Sequence, residues 1–69
     1  MTGTEVLARS IRSRRKDLGL TQEEVADLAG CSVRFVGFLE AAKPSVQLDK
    51  VVAVLGVLGL ELAVRTRTT

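Results

Sequence analysis

Sixty-nine residues make room for one domain, and a chain this short buries only about 60 % of the surface its unfolded form exposes. Cys31 is the single cysteine and there is no histidine, so an internal disulfide is excluded and a metal centre is not expected. The net charge is +2, but Arg9, Arg12, Arg14, Arg15 and Lys16 fall within eight residues, a cluster suited to an anionic partner, most often nucleic acid.

In chain order, Thr4 is placed to cap a first helix that runs to Leu18, with Glu5 favourably set in its first turn. Leu7, Ile11 and Leu18 share one face at helical spacing, and Gly19 is suited to the left-handed residue that ends it. Thr21-Gln22-Glu23-Glu24 reads as a capping box for a second helix with Val25, Leu28 and Ala29 as its buried stripe. Gly30 stops it. Ser32 caps a third helix, which turns Val36 and Leu39 inward and ends before Pro44. A fourth helix opens at Gln47 or Leu48 and presents Leu48, Val51, Val52, Leu55 and Leu58 as one apolar face; Gly59 closes it.

Val54 and Val57 lie off that face yet remain apolar, which suggests a second buried surface. From Leu60 to Arg67 the period changes to two, with Leu60, Leu62 and Val64 alternating against Glu61, Ala63 and Arg65, a strand signal. A lone strand cannot satisfy its own backbone groups. Its natural partner is the same strand of a second copy, and a composition 46 % apolar points to the same oligomer. The expected division is therefore 1–59 for the helical domain and 60–69 for a dimerising strand and tail. Val51 to Val64 is too short to span a bilayer and contains Glu61; no signal peptide is expected at Met1–Ser10, and a single free thiol fits a reducing cytoplasm.

Two capped helices joined by a glycine-containing turn describe a helix-turn-helix. The stretches LGLTQEEVADLAGCS and FVGFLEAAKPSV resemble the XRE/Cro-type helix-turn-helix of the lambdoid phage repressors, and the tail LEAAKPSVQLDKVVAVLGVLGLELAV is similar to that of HipB-like antitoxins. The resemblance implies an all-α, lambda-repressor-like four-helix domain whose C-terminal β-strand pairs across a homodimer. It also implies a double-stranded DNA-binding repressor of a palindromic operator, the autoregulating antitoxin of a HipA-type kinase toxin. No cofactor is implied.

Position by position, the resemblance makes Gln22 a phosphate contact and a buttress of the third helix, and makes Ser32, Val33, Arg34 and Gly37 groove-facing. Phe38 matches a position that reads bases in some repressors, and Lys43 a backbone contact. Arg34 is the best base reader, since a guanidinium holds guanine O6 and N7 together; Val33 offers only apolar contact. Arg15 and Glu40 match a buried ion pair between the first and third helices. Three positions depart from the pattern: Gly37 and Phe38 stand where polar residues are usual, and Ala42 where glycine is. Phe35 is expected to pack beneath the third helix. The departures leave open a protein-interaction module on the same fold with little specific DNA binding. An enzyme is not expected: there is no plausible carboxylate pair or phosphate loop, and Cys31 sits where the family buries a valine.

Overall fold

A computed structural model of the chain describes residues 3–44, 47–64 and 66. Among these residues four helices follow one another: α1 (Gly3–Asp17), α2 (Gln22–Ala29), α3 (Val33–Glu40) and α4 (Leu48–Val57). α2 packs on α3 and on α4, and α1 packs on α3. Their inward faces meet in one core built from Ile11, Val25, Ala26, Phe35, Val36, Leu39, Val51, Val54, Leu55 and Leu58, with Leu7, Leu20, Ala29, Cys31, Val57 and Leu60 packed around it. No helix among the described residues is long and apolar enough to cross a membrane.

Helices of eight to ten residues are too short to hold themselves in water, so their ends and their packing must do it. The starts of α2 and α3 are closed by side chains. The Thr21 hydroxyl accepts from the Glu24 amide at 3.1 Å, while a Glu24 carboxylate oxygen accepts from the Thr21 amide at 2.9 Å. Ser32 Oγ accepts from the Phe35 amide at 3.1 Å. α1 begins at Gly3, which puts Thr4 inside the first turn rather than at its cap.

All four helices end in the same way. After each last turn, one amide reaches back five residues and the preceding amide reaches back three, the double closure of a Schellman motif. The reaching amides are Leu20 to the Arg15 carbonyl, Cys31 to Ala26, Lys43 to Phe38 and Leu60 to Leu55, at 2.8–3.1 Å. The motif needs a left-handed residue at its pivot. Gly19, Gly30 and Gly59 supply it with φ of 70–72°, and at the end of α3 Ala42 takes the same conformation with φ of 61°.

Three apolar stripes differ from the expected ones, each for a geometric reason. α1 stops one residue before Leu18, and the turn carries Leu18 off the buried line to 43 % exposure while Leu20 tucks under instead. On α2, Val25 and Ala26 are buried and Leu28 points to solvent. On α4 the buried stripe is Val51, Val54, Leu55 and Leu58, leaving Leu48 and Val52 exposed. Both stripes have helical spacing because this helix is apolar almost all round; docking against α2 selects the one containing Val54. Val54, expected at a second surface, is therefore a fully buried residue of this chain's own core, while Val57 and Leu60 are half-buried against that core. Leu62 and Val64 are exposed.

The tail from Leu60 to Val64 forms no strand, and no strand occurs among the described residues. Among the described residues no second edge exists for it to pair with. Arg65 and Arg67, at the far end of the expected strand, lie outside the described residues.

An alanine in the left-handed region carries a steric cost of roughly 1–2 kcal/mol, partly returned by glycine's greater freedom when unfolded. Ala42→Gly is expected to stabilise the fold by about 0.5–1 kcal/mol in urea denaturation. No gain, or a loss, would mean that the end of α3 is not built as described.

Candidate nucleic-acid interface

The α2–turn–α3 unit presents one face of α3 to solvent. Phe35, Val36 and Leu39 hold the opposite face in the core. At 100° per residue, Val33, Gly37 and Ala41 form one line along the outer face and Arg34 and Phe38 a second line beside it. Val33 is 45 % and Phe38 41 % exposed, and Arg34 is exposed at the first turn. Phe35, expected beneath the helix, is buried there.

What fixes this face is an ion pair behind it. Arg15 on α1 grips Glu40 at the end of α3 with two parallel bonds, Nε to Oε2 at 2.6 Å and Nη2 to Oε1 at 2.9 Å. Its remaining Nη1 donates to the Leu20 carbonyl at 2.9 Å, tying in the loop before α2. Gln22, the first residue of α2, donates from Nε2 to Glu40 Oε1 at 3.2 Å. The two charged side chains are 13 % and 6 % exposed. Gln22 lies beside Gly37: a Cβ added to Gly37 would meet only Gln22 Oε1, at 4.0 Å.

Burial pushes the Glu40 carboxyl up, but hydrogen bonds from Arg15 and Gln22 and the charges of Arg15 and Arg12 outweigh it and hold the group below the usual carboxylate value. The bond to Glu40, working against desolvation, strengthens the Arg15 guanidinium's hold on its proton.

The basic cluster of α1 is divided among different tasks. Arg15 is committed to Glu40. Arg14 donates from Nε to the Leu58 carbonyl at 2.8 Å, so a cation sits at the C-terminus of α4, where the helix dipole favours it. Arg12 remains exposed and lines a shallow hollow with Gln22, Gly37, Glu40 and Ala41. On the other flank of α3, a second hollow is lined by Ser32, Arg34, Phe38, Gln47 and Lys50. Arg12 and Lys50 thus bracket the outer face of α3, a role that their places in the sequence did not single out. Lys43, after the helix, holds its ammonium 4.9 Å from the centre of the Phe38 ring, within cation–π range. Ser32 is occupied as a cap through its oxygen, which leaves its proton to donate.

Cys31 is half-buried against the core, and desolvation pushes its thiol up, with Lys50 pulling the other way. That is opposite to what a reactive thiolate needs. Among the described residues no group of three or more Cys, Asp or Glu side chains could hold a metal ion.

Because the folded pKa of Glu40 lies below its unfolded value, the pair's stabilisation is complete above the ordinary glutamate value near about 4.3 and is lost as pH falls below it. Glu40→Gln leaves Arg15 without a counter-charge and is expected to cost about 3–5 kcal/mol. Thermal melts between neutral and acid pH should show the parent chain losing part of its lead over the variant on acidification; a gap independent of pH contradicts this.

Residues 11–64, most of the chain, match the helix-turn-helix family model HTH_3. The chain is also similar to an uncharacterised HTH-type transcriptional regulator, y4mF, of Sinorhizobium fredii, with 44 % identity over 52 residues that cover 75 % of this chain and 68 % of the relative. With a capped α2, a tight glycine turn and an α3 braced from behind, the chain belongs to the HTH_3, XRE-type helix-turn-helix family.

Proposed function

We propose that the chain is a sequence-specific double-stranded DNA-binding transcription regulator that acts as a homodimer on a palindromic operator. The observation that carries this is the exposed Arg34 on the outer face of an α3 that is held rigidly from behind by Arg15, Glu40 and Gln22. α3 enters the major groove by its first turn. Arg34 donates to guanine O6 and N7 together, which is worth about 1–3 kcal/mol of discrimination. Arg12, Lys43 and Lys50 face phosphates on either side, Gln22 offers the second N–H of its amide to a phosphate, and Ser32 adds its hydroxyl; these contacts position without specifying. The relative's description as a transcriptional regulator supports the same reading.

The dimer rests on the apolar surface that one chain leaves uncovered. Leu62 and Val64 of the tail are exposed, as are Val6 on α1 and Leu48 and Val52 on α4. A two-fold dimer would set its α3 helices about 34 Å apart, on half-sites one helical turn apart. Bound across a promoter, such a dimer represses by occlusion, on the nucleoid in the cytoplasm. The finer reading, an antitoxin that autoregulates its operon and engages a HipA-type kinase toxin, is supported by the likeness of the tail to HipB-like proteins.

A protein-interaction module on the same fold is favoured by one observation, the apolar character of Val33 and Phe38 on the outer face of α3. Salt separates the two readings. Several phosphate contacts release counterions, so operator affinity should fall steeply and linearly on a log–log plot against salt. Fluorescence anisotropy with duplexes recovered from a random-sequence pool is expected to show that slope, with Arg34→Ala weakening the preferred duplex by about 1–3 kcal/mol and random duplex much less. Equal affinity for all duplexes, unchanged by Arg34→Ala, contradicts sequence reading.

Sedimentation equilibrium of the full chain is expected to give twice the monomer mass, and replacing Leu62 and Val64 by aspartate should return it to monomer. A monomer at every concentration, or a dimer indifferent to both substitutions, contradicts the tail-mediated assembly.

A further inference from the structure

We propose that Phe38 is a thymine-methyl reader, so that operator affinity depends on the C5-methyl of a thymine next to the guanine held by Arg34. The inference rests on the DNA reading above and adds what the rest of the recognition face recognises.

That face is short of hydrogen-bonding groups. Along it stand Val33, Gly37 and Ala41 in one line and Arg34 and Phe38 in the other, so beyond Arg34 and the capping Ser32 it presents only apolar side chains. The apolar group that projects furthest into the major groove is the C5-methyl of thymine, and apolar side chains there read it. Phe38 is 41 % exposed and so lies outside the core, on the outer face of α3. The Lys43 ammonium lies 4.9 Å from the centre of its ring, within cation–π range, so a cation accompanies the ring on this face.

Spacing favours the assignment. Arg34 and Phe38 are four residues apart, neighbours about 5–6 Å apart on one helix face. A guanidinium and a ring so placed span adjacent base pairs. Gly37 and Ala41 between them carry little or no side chain, and space beside Gly37 is open apart from Gln22 Oε1 at 4.0 Å, so the helix backbone can approach the groove floor. Lys43 acts as a positioning residue for Phe38.

The test replaces each thymine of the preferred pool-derived duplex, one at a time, with deoxyuridine, which removes the methyl and keeps every hydrogen bond. At one thymine per half-site the parent chain should lose about fourfold in affinity, the burial of one methyl-sized group converted to a ratio. Phe38→Ala should bind the thymine duplex more weakly and no longer distinguish thymine from uracil at that site; its exposed position leaves the core intact, which a melt confirms. Lys43→Gln should reduce the discrimination in part. A preferred duplex that binds equally well with uracil at every position overturns this inference alone, as does Phe38→Ala keeping the parent's discrimination. A pool yielding no preferred duplex overturns it together with the DNA reading beneath it.

Discussion

The Arg15–Glu40 pair is the constraint on which the placement of α3 depends. A carboxylate only 6 % exposed has to find a cation, and it accepts two parallel bonds from Arg15 with the end of α3 held against α1. The same guanidinium holds the Leu20 carbonyl, and the same carboxylate holds Gln22, so one cluster registers α1, the α1–α2 turn, α2 and α3 against each other. A buried pair of this kind adds little net stability compared with apolar packing. Its effect is on arrangement: slippage or rotation of α3 strands two charges, so α3 has one position and its outer face one composition.

Around that cluster the chain relies on local chemistry repeated with little variation. Two helices start on a hydroxyl cap, and four end on a Schellman closure. For segments too short to be stable alone, these ends settle where each helix stops, and the core of Ile11, Val25, Val36, Val54 and Leu58 settles how they pack. The helix proposed to enter the groove, α3, is also the one whose closure is strained, because its pivot is Ala42 rather than glycine. Strain at the exit of α3 falls next to Lys43, the residue that lies over Phe38.

Features carried by local chemistry were legible in the sequence. Thr21 with Glu24, Ser32, and the glycines at 19, 30 and 59 announce the helix ends because each residue type is needed at its own position. Phe35 beneath α3 was legible from the resemblance. What the sequence hid depends on packing. α4 is apolar on nearly every side, so two stripes fit helical spacing, and only contact with α2 chooses Val54 over Val52. Leu28 was misplaced in the same way on α2. A cluster of five basic residues reads as one patch, yet Arg14 closes α4 and Arg15 braces Glu40, leaving Arg12 beside the outer face of α3. The alternation from Leu60 to Val64 has the period of a strand, but a strand is a relation between two edges, and the described residues offer no partner edge.

The outer face of α3 that results is narrow in chemistry: one guanidinium, two small residues and two apolar side chains, flanked by Arg12 on one side and Lys50 on the other. Function on this account follows from rigidity behind α3 and sparseness in front of it. The most direct measurement is an amide chemical-shift titration of the labelled chain with its preferred duplex. The account predicts that the largest shifts fall on Gln22, Val33, Arg34, Gly37, Phe38 and Lys43, with Val51 to Leu58 little changed. Shifts concentrated on α4 and the tail, with α3 silent, would contradict it.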